Sequence, residues 1–372
     1  MTTSCLAPWL RAVDTLVGPV ADRIDREQRI PEPLVEALAE RGLFGIGLPT
    51  RYGGRGFSPL DYGRLHAALG ARSASVQGLV NVHHMAAAAV ARWGNASQRA
   101  RWVPELAAGR LRAALAITEP CVGSDASGVQ CVAKPDGDVF VVSGTKKWIT
   151  CGQSADVFLL LAHVEGSPVA LIVERDTPGL SIHPIRELLG CRGYMLAELQ
   201  LDECRVSAGQ RVAGIGFGVS HVAATALDIG RFALAWCCYG MIQACLDLSL
   251  SHCDSRIQFG VPIREHPLVQ RLLSRMITDC EATRTLCESA ADARAQRARS
   301  ALRQTAVAKY FASTACVRAA SDAVQLHGAL GCSGERPVER IFRDSKIMEV
   351  IEGTTQIQEL TIARLEYQLR AV

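Results

Sequence analysis

Hydrophobic residues in this chain change spacing twice. Over roughly residues 1–112 they recur at helical intervals, as in "EPLVEALAERGLFGIGLP", with Gly42 placed to stop a helix. Over 113–207 they alternate: "CVAKPDGDVFVVSGTKKWIT" changes direction at an Asp-Gly turn, and "VFLLLAHV", "VALIVE" and "LAELQLDE" follow as short strands. Over 208–372 the helical spacing returns in long runs, about 228–252, 269–295, 302–326 and 355–370. The first of these is apolar on most faces, which requires burial on all sides. A parallel α/β sheet needs a helix between successive strands, and too few lie here. The spacing predicts an α+β protein of three domains: helical 1–112, a small antiparallel barrel or sandwich at 113–207, and a helical bundle at 208–372. Clefts at such domain boundaries are common seats for flat cofactors.

Composition removes several function classes. With 40 basic and 37 acidic residues the net charge is +3, and the 5% aromatic content is not interleaved with basic residues, so no nucleic-acid partner is expected. The two basic spots, Lys146-Lys147 and Arg294 to Arg303, are short and read as solvated faces. Fourteen cysteines show neither repeated C-x-x-C pairs nor zinc spacing, and Cys237-Cys238 sit inside an apolar run. Adjacent His83 and His84 point in different helical directions with no third ligand nearby, so no metal is expected. The start, "MTTSCLAPWLRAVDTL", lacks a basic leader with an apolar core, and no apolar run reads as long enough to span a membrane. A reduced, cytoplasmic protein is the expectation.

Three polar stretches interrupt the pattern. In "LAITEPCVGSDASG" an apolar strand gives way at Thr118 to Glu119, Pro120, Gly123, Ser124 and Asp125. Such a loop brings N–H groups and hydroxyls together and can grip a ring edge, a thioester arm or a phosphate, or be only a loop. It lacks G-x-G-x-x-G and G-x-x-x-x-G-K-[ST], which argues against Rossmann and ATP sites. In "KKWITCG", Trp148 and Thr150 stand two apart on one strand and share a face, suited equally to a heteroaromatic ring or to an ordinary core. "VIEGTTQIQELTIARLE" sets Glu352 before Gly353 and two threonines, where a helix begins. Glu352 reads either as a cap or first-turn acid favoured by the helix dipole, or as a carboxylate delivered by an apolar run into a dry cavity to act as a base.

Taken in order, "ITEPCVGSDASG", "KKWITCG", "GCRGYMLAELQLDECRV", "DSRIQFG", "AVQLHGALG" and "ERIFRDSKIMEVIEGTTQIQ" resemble the acyl-CoA dehydrogenase family over nearly the whole chain. The resemblance implies that family's fold, with a helical N-terminal domain, an antiparallel β domain and a C-terminal four-helix bundle. It implies FAD and oxidation of an acyl thioester between its α and β carbons, with Glu352 as the base for the α proton. A subset of the family takes its base from another helix, at the position held here by Gly230, and glycine cannot take up a proton. Leu115, Ile117, Thr118, Trp148, Ile149, Thr150, Thr354 and Gln356 are implied flavin contacts. Arg256, Phe259, His266, Gln325, Gly328 and Ala329 are implied to reach the dinucleotide from a neighbouring subunit of a tetramer or dimer. Ser124, Asp228, Arg231, Gly353 and Arg364 are implied around the thioester. An electron-transfer flavoprotein is the implied electron acceptor, with oxygen as the alternative.

The chain departs from the family pattern at Ile351, where tyrosine is frequent, at Pro267 after His266, where glutamine is frequent, and at His327. Its "NVHHMAAAAVARWG" segment resembles members from polyketide and related pathways more than enzymes of fatty-acid β-oxidation. That resemblance implies a short polar acyl group on an acyl carrier protein, as in extender-unit biosynthesis. The Arg294 to Arg303 stretch is then a docking face for an acidic carrier. Three readings stand beside it: a short-chain acyl-CoA dehydrogenase of catabolism, an oxidase or monooxygenase acting on a non-thioester, and a non-catalytic flavoprotein.

Overall fold

The computed structural model describes residues 6–371, so the opening pentapeptide lies outside the described residues. Helices come first: α1 (Ala7–Leu16), α2 (Ala21–Glu27), α3 (Glu32–Glu40), α4 (Pro59–Arg72), α5 (Ala74–Trp93) and α6 (Ala96–Ala107). Their starts follow capping chemistry. Ser58 and Ser73 accept the N–H groups of Asp61 and Val76, and Asn95 forms a reciprocal capping box with Gln98.

Strands follow: β1 (Ala113–Ala116), β2 (Val132–Asp136), β3 (Val139–Ile149), β4 (Val157–Val164), β5 (Ser167–Glu174), β6 (Leu180–Pro184), β7 (Ala197–Ser207) and β8 (Arg211–Val212). They form one sheet in the order β6-β7-β3-β2-β4-β5-β8, with β1 beside β4. The β2–β3 hairpin turns at Gly137, as the Asp-Gly signal predicts. Pairing is antiparallel along most of the sheet, but β1 runs parallel to β4 and one β2–β4 bridge is also parallel. The cause is the chain path: β1 is followed by the long 117–131 loop, not by a hairpin turn.

The remainder is α7 (Ala224–Ser255), a small hairpin of β9 (Ile257–Gln258) and β10 (Val261–Pro262), then α8 (Pro267–Ala295), α9 (Ala301–His327), α10 (Pro337–Val350) and α11 (Thr355–Arg370). A wide π-type turn at Gly218–Ala223 leads into α7, which starts four residues before the apolar run. By length and composition Gly218–Ser255 could cross a bilayer, contrary to the expectation from sequence. Here it is the central helix, packed against α4, α5, α8 and α9, with Phe232, Leu234, Trp236 and Ile242 buried. Close approach of α4 depends on Gly240, where a Cβ would lie 1.9 Å from the Ala67 carbonyl oxygen.

Cysteines among the described residues are all free thiols; burial raises those of the bundle core, Cys237, Cys245 and Cys287 among them, and Cys316 is raised first by its hydrogen bond with Cys238 and then by burial. His83 and His84 hold no metal cluster among the described residues. The His83 ring bonds the Leu106 carbonyl at 3.0 Å and accepts the Ala113 N–H at 3.2 Å, tying α5 to α6 and β1. His84 Nδ1 meets the Tyr62 hydroxyl at 3.0 Å.

Candidate active site

Between α10 and α11 the chain makes a short left-handed step. Glu352 and Gly353 stand at φ +57° and +86°, and Thr354 caps α11 by accepting the Ile357 N–H at 3.3 Å. Thr354, not Glu352, is therefore the helix cap, which removes the structural reading of the glutamate. A left-handed glutamate costs on the order of 1 kcal/mol and persists only where its surroundings over-determine it. They do so through two carbonyls. The Glu352 carbonyl accepts from Arg231 Nε at 3.0 Å and Gln358 Nε2 at 3.1 Å, and the Gly353 carbonyl accepts from Lys309 Nζ at 2.7 Å. Both guanidinium and ammonium thus hold the loop's backbone and leave the carboxylate free.

Glu352 Oε2 is shut off from solvent and has no hydrogen-bond partner. Burial pushes its pKa from 4.5 to about 7, against the lowering fields of Arg231 and Lys309. Burial likewise lowers Lys309 to about 8 and lowers Arg231.

The carboxylate borders a cavity of about 360 Å³ between the sheet and the helices. One wall comes from the β domain: Leu115, Ile117, Thr118, Trp148, Ile149 and Thr150, with Ser124 at its edge. The opposite wall is Val82 and Met85 of α5, Arg231 of α7, and residues 350–354. Trp148 and Thr150 both face it, but not by strand alternation. Register shifts between Lys146 and Ile149, Trp148 turns to φ +62°, and the strand ends before Thr150. The Lys147 N–H bonds the Thr118 carbonyl at 2.9 Å, which sets these two polar stretches side by side. Beneath them lies a buried ion pair. Glu119 accepts from Lys146 Nζ at 2.7 Å and from the N–H groups of Gln130 and Cys131, while Lys146 also donates to the Ile117 carbonyl at 3.0 Å.

Gly230 lies against the carboxylate. A Cβ there would sit 2.5 Å from Glu352 Oε2 and 2.8 Å from Met85 Cε. Gly230→Ala is expected to fold normally and yet lower the rate of flavin reduction by about 10²-fold by displacing the base. Stopped-flow reduction with circular dichroism as control checks this, and an unchanged rate would refute the contact.

Other residues singled out from sequence lie elsewhere. Asp228 is taken up by Arg294, whose guanidinium donates to both its oxygens at 2.9 and 2.8 Å. Arg303 pairs with Glu366 at 2.6 Å. The Arg294 to Arg303 stretch therefore offers less free charge than its sequence implies. Arg364 and Gln356 are exposed on α11, with Arg364 near enough to lower the Arg231 pKa. Arg256, Phe259 and His266 gather at the β9–β10 hairpin, where Phe259 is 95% exposed and its ring meets His266 edge-on. Stacking of His252 on His327, 4.3 Å apart, brings that hairpin close to Gln325, Gly328 and Ala329 at the end of α9. Sequence reasoning missed Lys309 and Gln358. A lone lysine in the otherwise apolar "TAVAKYFASTACV" was the available signal for the first; nothing marked the second.

Another cavity, of about 730 Å³ between α1, α4, α7 and α10, is a different place. Arg72 pairs there with Asp14 and Arg340 with Asp22, Asp247 stands exposed at its lining, and no buried unpaired carboxylate among the described residues faces it.

A carboxylate with one oxygen buried and unpaired, facing an apolar wall edged with hydroxyls, is equipment for taking a proton from a carbon acid beside a flat redox cofactor. Comparison with known proteins gives the family. Residues 10–110, 114–204 and 216–366 match the N-terminal, middle and C-terminal domains of acyl-CoA dehydrogenase. An acyl-CoA dehydrogenase of Bacillus subtilis (strain 168) is 33% identical over 354 residues, covering 94% of this chain and 93% of the relative. Among solved structures, FkbI, for biosynthesis of a methoxymalonyl polyketide extender unit, is 32% identical with TM-score 0.90, covering 96% of this chain and 99% of that one. The prolyl acyl carrier protein oxidase AnaB is 26% identical with TM-score 0.92, covering 98% and 99%. A glutaryl-CoA dehydrogenase from Mycobacterium smegmatis in complex with FADH2 is 25% identical with TM-score 0.92, covering 96% and 92%. The chain belongs to the acyl-CoA dehydrogenase family: it is an FAD-dependent oxidoreductase acting on the CH–CH bond of acyl thioesters.

Proposed function

We propose that Glu352 removes the α proton of a short polar acyl thioester carried on an acyl carrier protein. The buried, unpaired Oε2 of Glu352 at the cavity wall carries the reading. A carboxyl near pH 7 is a stronger base than an ordinary carboxylate and is still substantially ionised at neutral pH. FAD, when bound, supplies acceptance of the hydride from the β carbon. Leu115, Ile117, Thr118, Trp148, Ile149 and Thr150 are our candidates to hold its ring system, an apolar wall with hydroxyls at its edge. Thr354 and Gln356 are candidates further along. The thioester carbonyl needs hydrogen-bond donors as negative charge grows on its oxygen, and the backbone N–H of Glu352 is our candidate. Ser124, Arg231 and Gly353 border the arm.

The remaining cofactor candidates stand on a different part of the subunit. Along α7, Arg231 and Arg256 are separated by about 38 Å at 1.5 Å per residue, too far to grip one molecule together. An assembly in which Arg256, Phe259, His266, Gln325, Gly328 and Ala329 serve a neighbouring subunit's cofactor supports a dimer or tetramer. Kinship with FkbI and AnaB supports the carrier tether. Unpaired thiols throughout the fold support a reducing compartment such as the cytoplasm.

Anaerobic bleaching of the oxidised-flavin band tests the assignment, with matched acyl-CoAs and acyl-carrier thioesters running from short polar to long apolar. Bleaching by short polar carrier thioesters alone is the expected result. Equal bleaching by plain short acyl-CoAs replaces it with the catabolic reading. No anaerobic bleaching, with product hydroxylated only when air and a reduced nicotinamide with a flavin reductase are both supplied, replaces it with a monooxygenase.

A further inference from the structure

Beyond the reaction cavity, α4 and α5 press together a seam of polar side chains. Tyr62 and His66 stand one turn apart on α4; Gln77, Asn81 and His84 follow one face of α5. All five are nine-tenths or more buried. The helices run antiparallel here, so Tyr62 meets His84 at 3.0 Å while Gln77 Nε2 meets His66 Nδ1 at 3.0 Å. Asn81 stands between the two levels. The same face of α5 continues one turn past Asn81 to Met85, whose Cε lies by Glu352 and Gly230. Tyr62 also stacks on Phe232, two residues from Gly230, and its hydroxyl feels the charges of Glu352 and Arg294. On α5 the cavity is lined by Val82 and Met85, so the seam starts behind that wall and leads inward from it.

Its hydrogen bonding is incomplete. Gln77 Oε1, Asn81 Oδ1, His66 Nε2 and, on the Gly47 side, His84 Nε2 have no partner. Buried polar atoms are almost always paired, so the three on Gln77, Asn81 and His66, which lie together, ask for something to fill them. With Gln77 donating to His66 Nδ1, His66 Nε2 carries the hydrogen, leaving one open donor and two open acceptors. Exchanging the amide ends and the tautomer together still leaves a donor and an acceptor open. A hydroxyl satisfies both kinds at once. An anion does not suit the seam. Burial holds His66 and His84 neutral, at about 3 and 4, and the one nearby guanidinium, Arg294, is already committed to Asp228. His84 Nε2 instead lies against Gly47, which closes the seam on that side.

We propose that this seam is the end wall of the acyl site and selects a short acyl chain bearing a hydroxyl, against aliphatic and carboxylate-tipped chains of equal length. The proposal rests on the assignment of Glu352 as base toward a thioester in the adjoining cavity. At 1.5 Å per residue, Asn81 lies about 6 Å beyond Met85 along α5, within reach of a four- or five-carbon chain.

The holoenzyme would be reduced anaerobically with 4-hydroxybutyryl against pentanoyl, 5-hydroxypentanoyl against hexanoyl, and glutaryl thioesters. Each is presented both on CoA and on an acyl carrier protein. We expect the hydroxyl member of at least one pair to exceed its aliphatic partner at least about tenfold in limiting rate over half-saturation, with glutaryl poorest. Asn81→Leu should collapse that ratio towards unity. If that variant does not fold, the wild-type ranking alone decides. Bleaching without a hydroxyl preference, or with glutaryl preferred, overturns the end wall and leaves the dehydrogenase assignment standing. Absence of bleaching by every thioester, in a protein that holds flavin, overturns both.

Discussion

Glu352→Gln is expected to slow flavin reduction by about 10²- to 10⁴-fold while leaving FAD content and secondary structure unchanged. The substitution keeps the side chain's shape and removes only its ability to take a proton. The loop's support is untouched, since Arg231, Lys309 and Gln358 hold the carbonyls of Glu352 and Gly353. In the parent enzyme the reduction rate should rise with pH as Glu352 ionises near 7, and the variant should lose this limb. Stability should move the opposite way. A carboxyl whose pKa is higher folded than unfolded costs stability when ionised, fully above about 7 and not at all below 4.5. The glutamine variant should therefore melt higher than the parent at pH 8, with the gap closing on acidification towards pH 4. A variant reduced at the parental rate by its true substrate would sink the assignment of the base.

Much of this site could be read from residue order, because its parts depend on local pattern. The α11 start at Thr355, the hairpin at Gly137 and the switch from strand to polar loop after Ala116 all follow from spacing and turn chemistry. Glu352 could not be decided that way. Both a helix-start acid and a buried base produce "IEGTT", and the choice turns on backbone angles fixed by Arg231 and Lys309, which lie 121 and 43 positions earlier in the chain. Long-range partners likewise reduce the free charge at Arg294, whose counter-ion Asp228 belongs to another helix. Trp148 and Thr150 reach the cavity through a bulge that alternation cannot foresee. The polar seam was hidden for a similar reason: His66 and Gln77 look like ordinary helix residues until α4 and α5 are laid together.

Lys146→Met is expected to destabilise the β domain by about 3–5 kcal/mol and to lower the FAD content of the purified protein. Lys146 and Glu119 are both out of solvent, and each is the other's counter-ion at 2.7 Å. Burial drives the Glu119 pKa up, but Lys146 and the N–H groups of Gln130 and Cys131 outweigh it and hold the carboxylate ionised. Burial drives Lys146 down, opposed by the same carboxylate, so the charged pair is stable only as a pair. Its structural output is the 117–131 loop. Lys146 holds the Ile117 carbonyl and Glu119 holds the N–H groups of Gln130 and Cys131, so the pair pins both ends of the segment that carries Thr118 and Ser124 to the cavity. Glu119→Gln should weaken flavin retention in the same way, by leaving the ammonium buried alone. Losing both charges removes the uncompensated ion, so the double variant should be more stable than the sum of the two single losses implies. Chemical denaturation of all four proteins, with flavin content read from absorbance, measures this coupling. Strictly additive losses would mean that the loop is held by packing alone and that the ion pair contributes nothing to flavin binding.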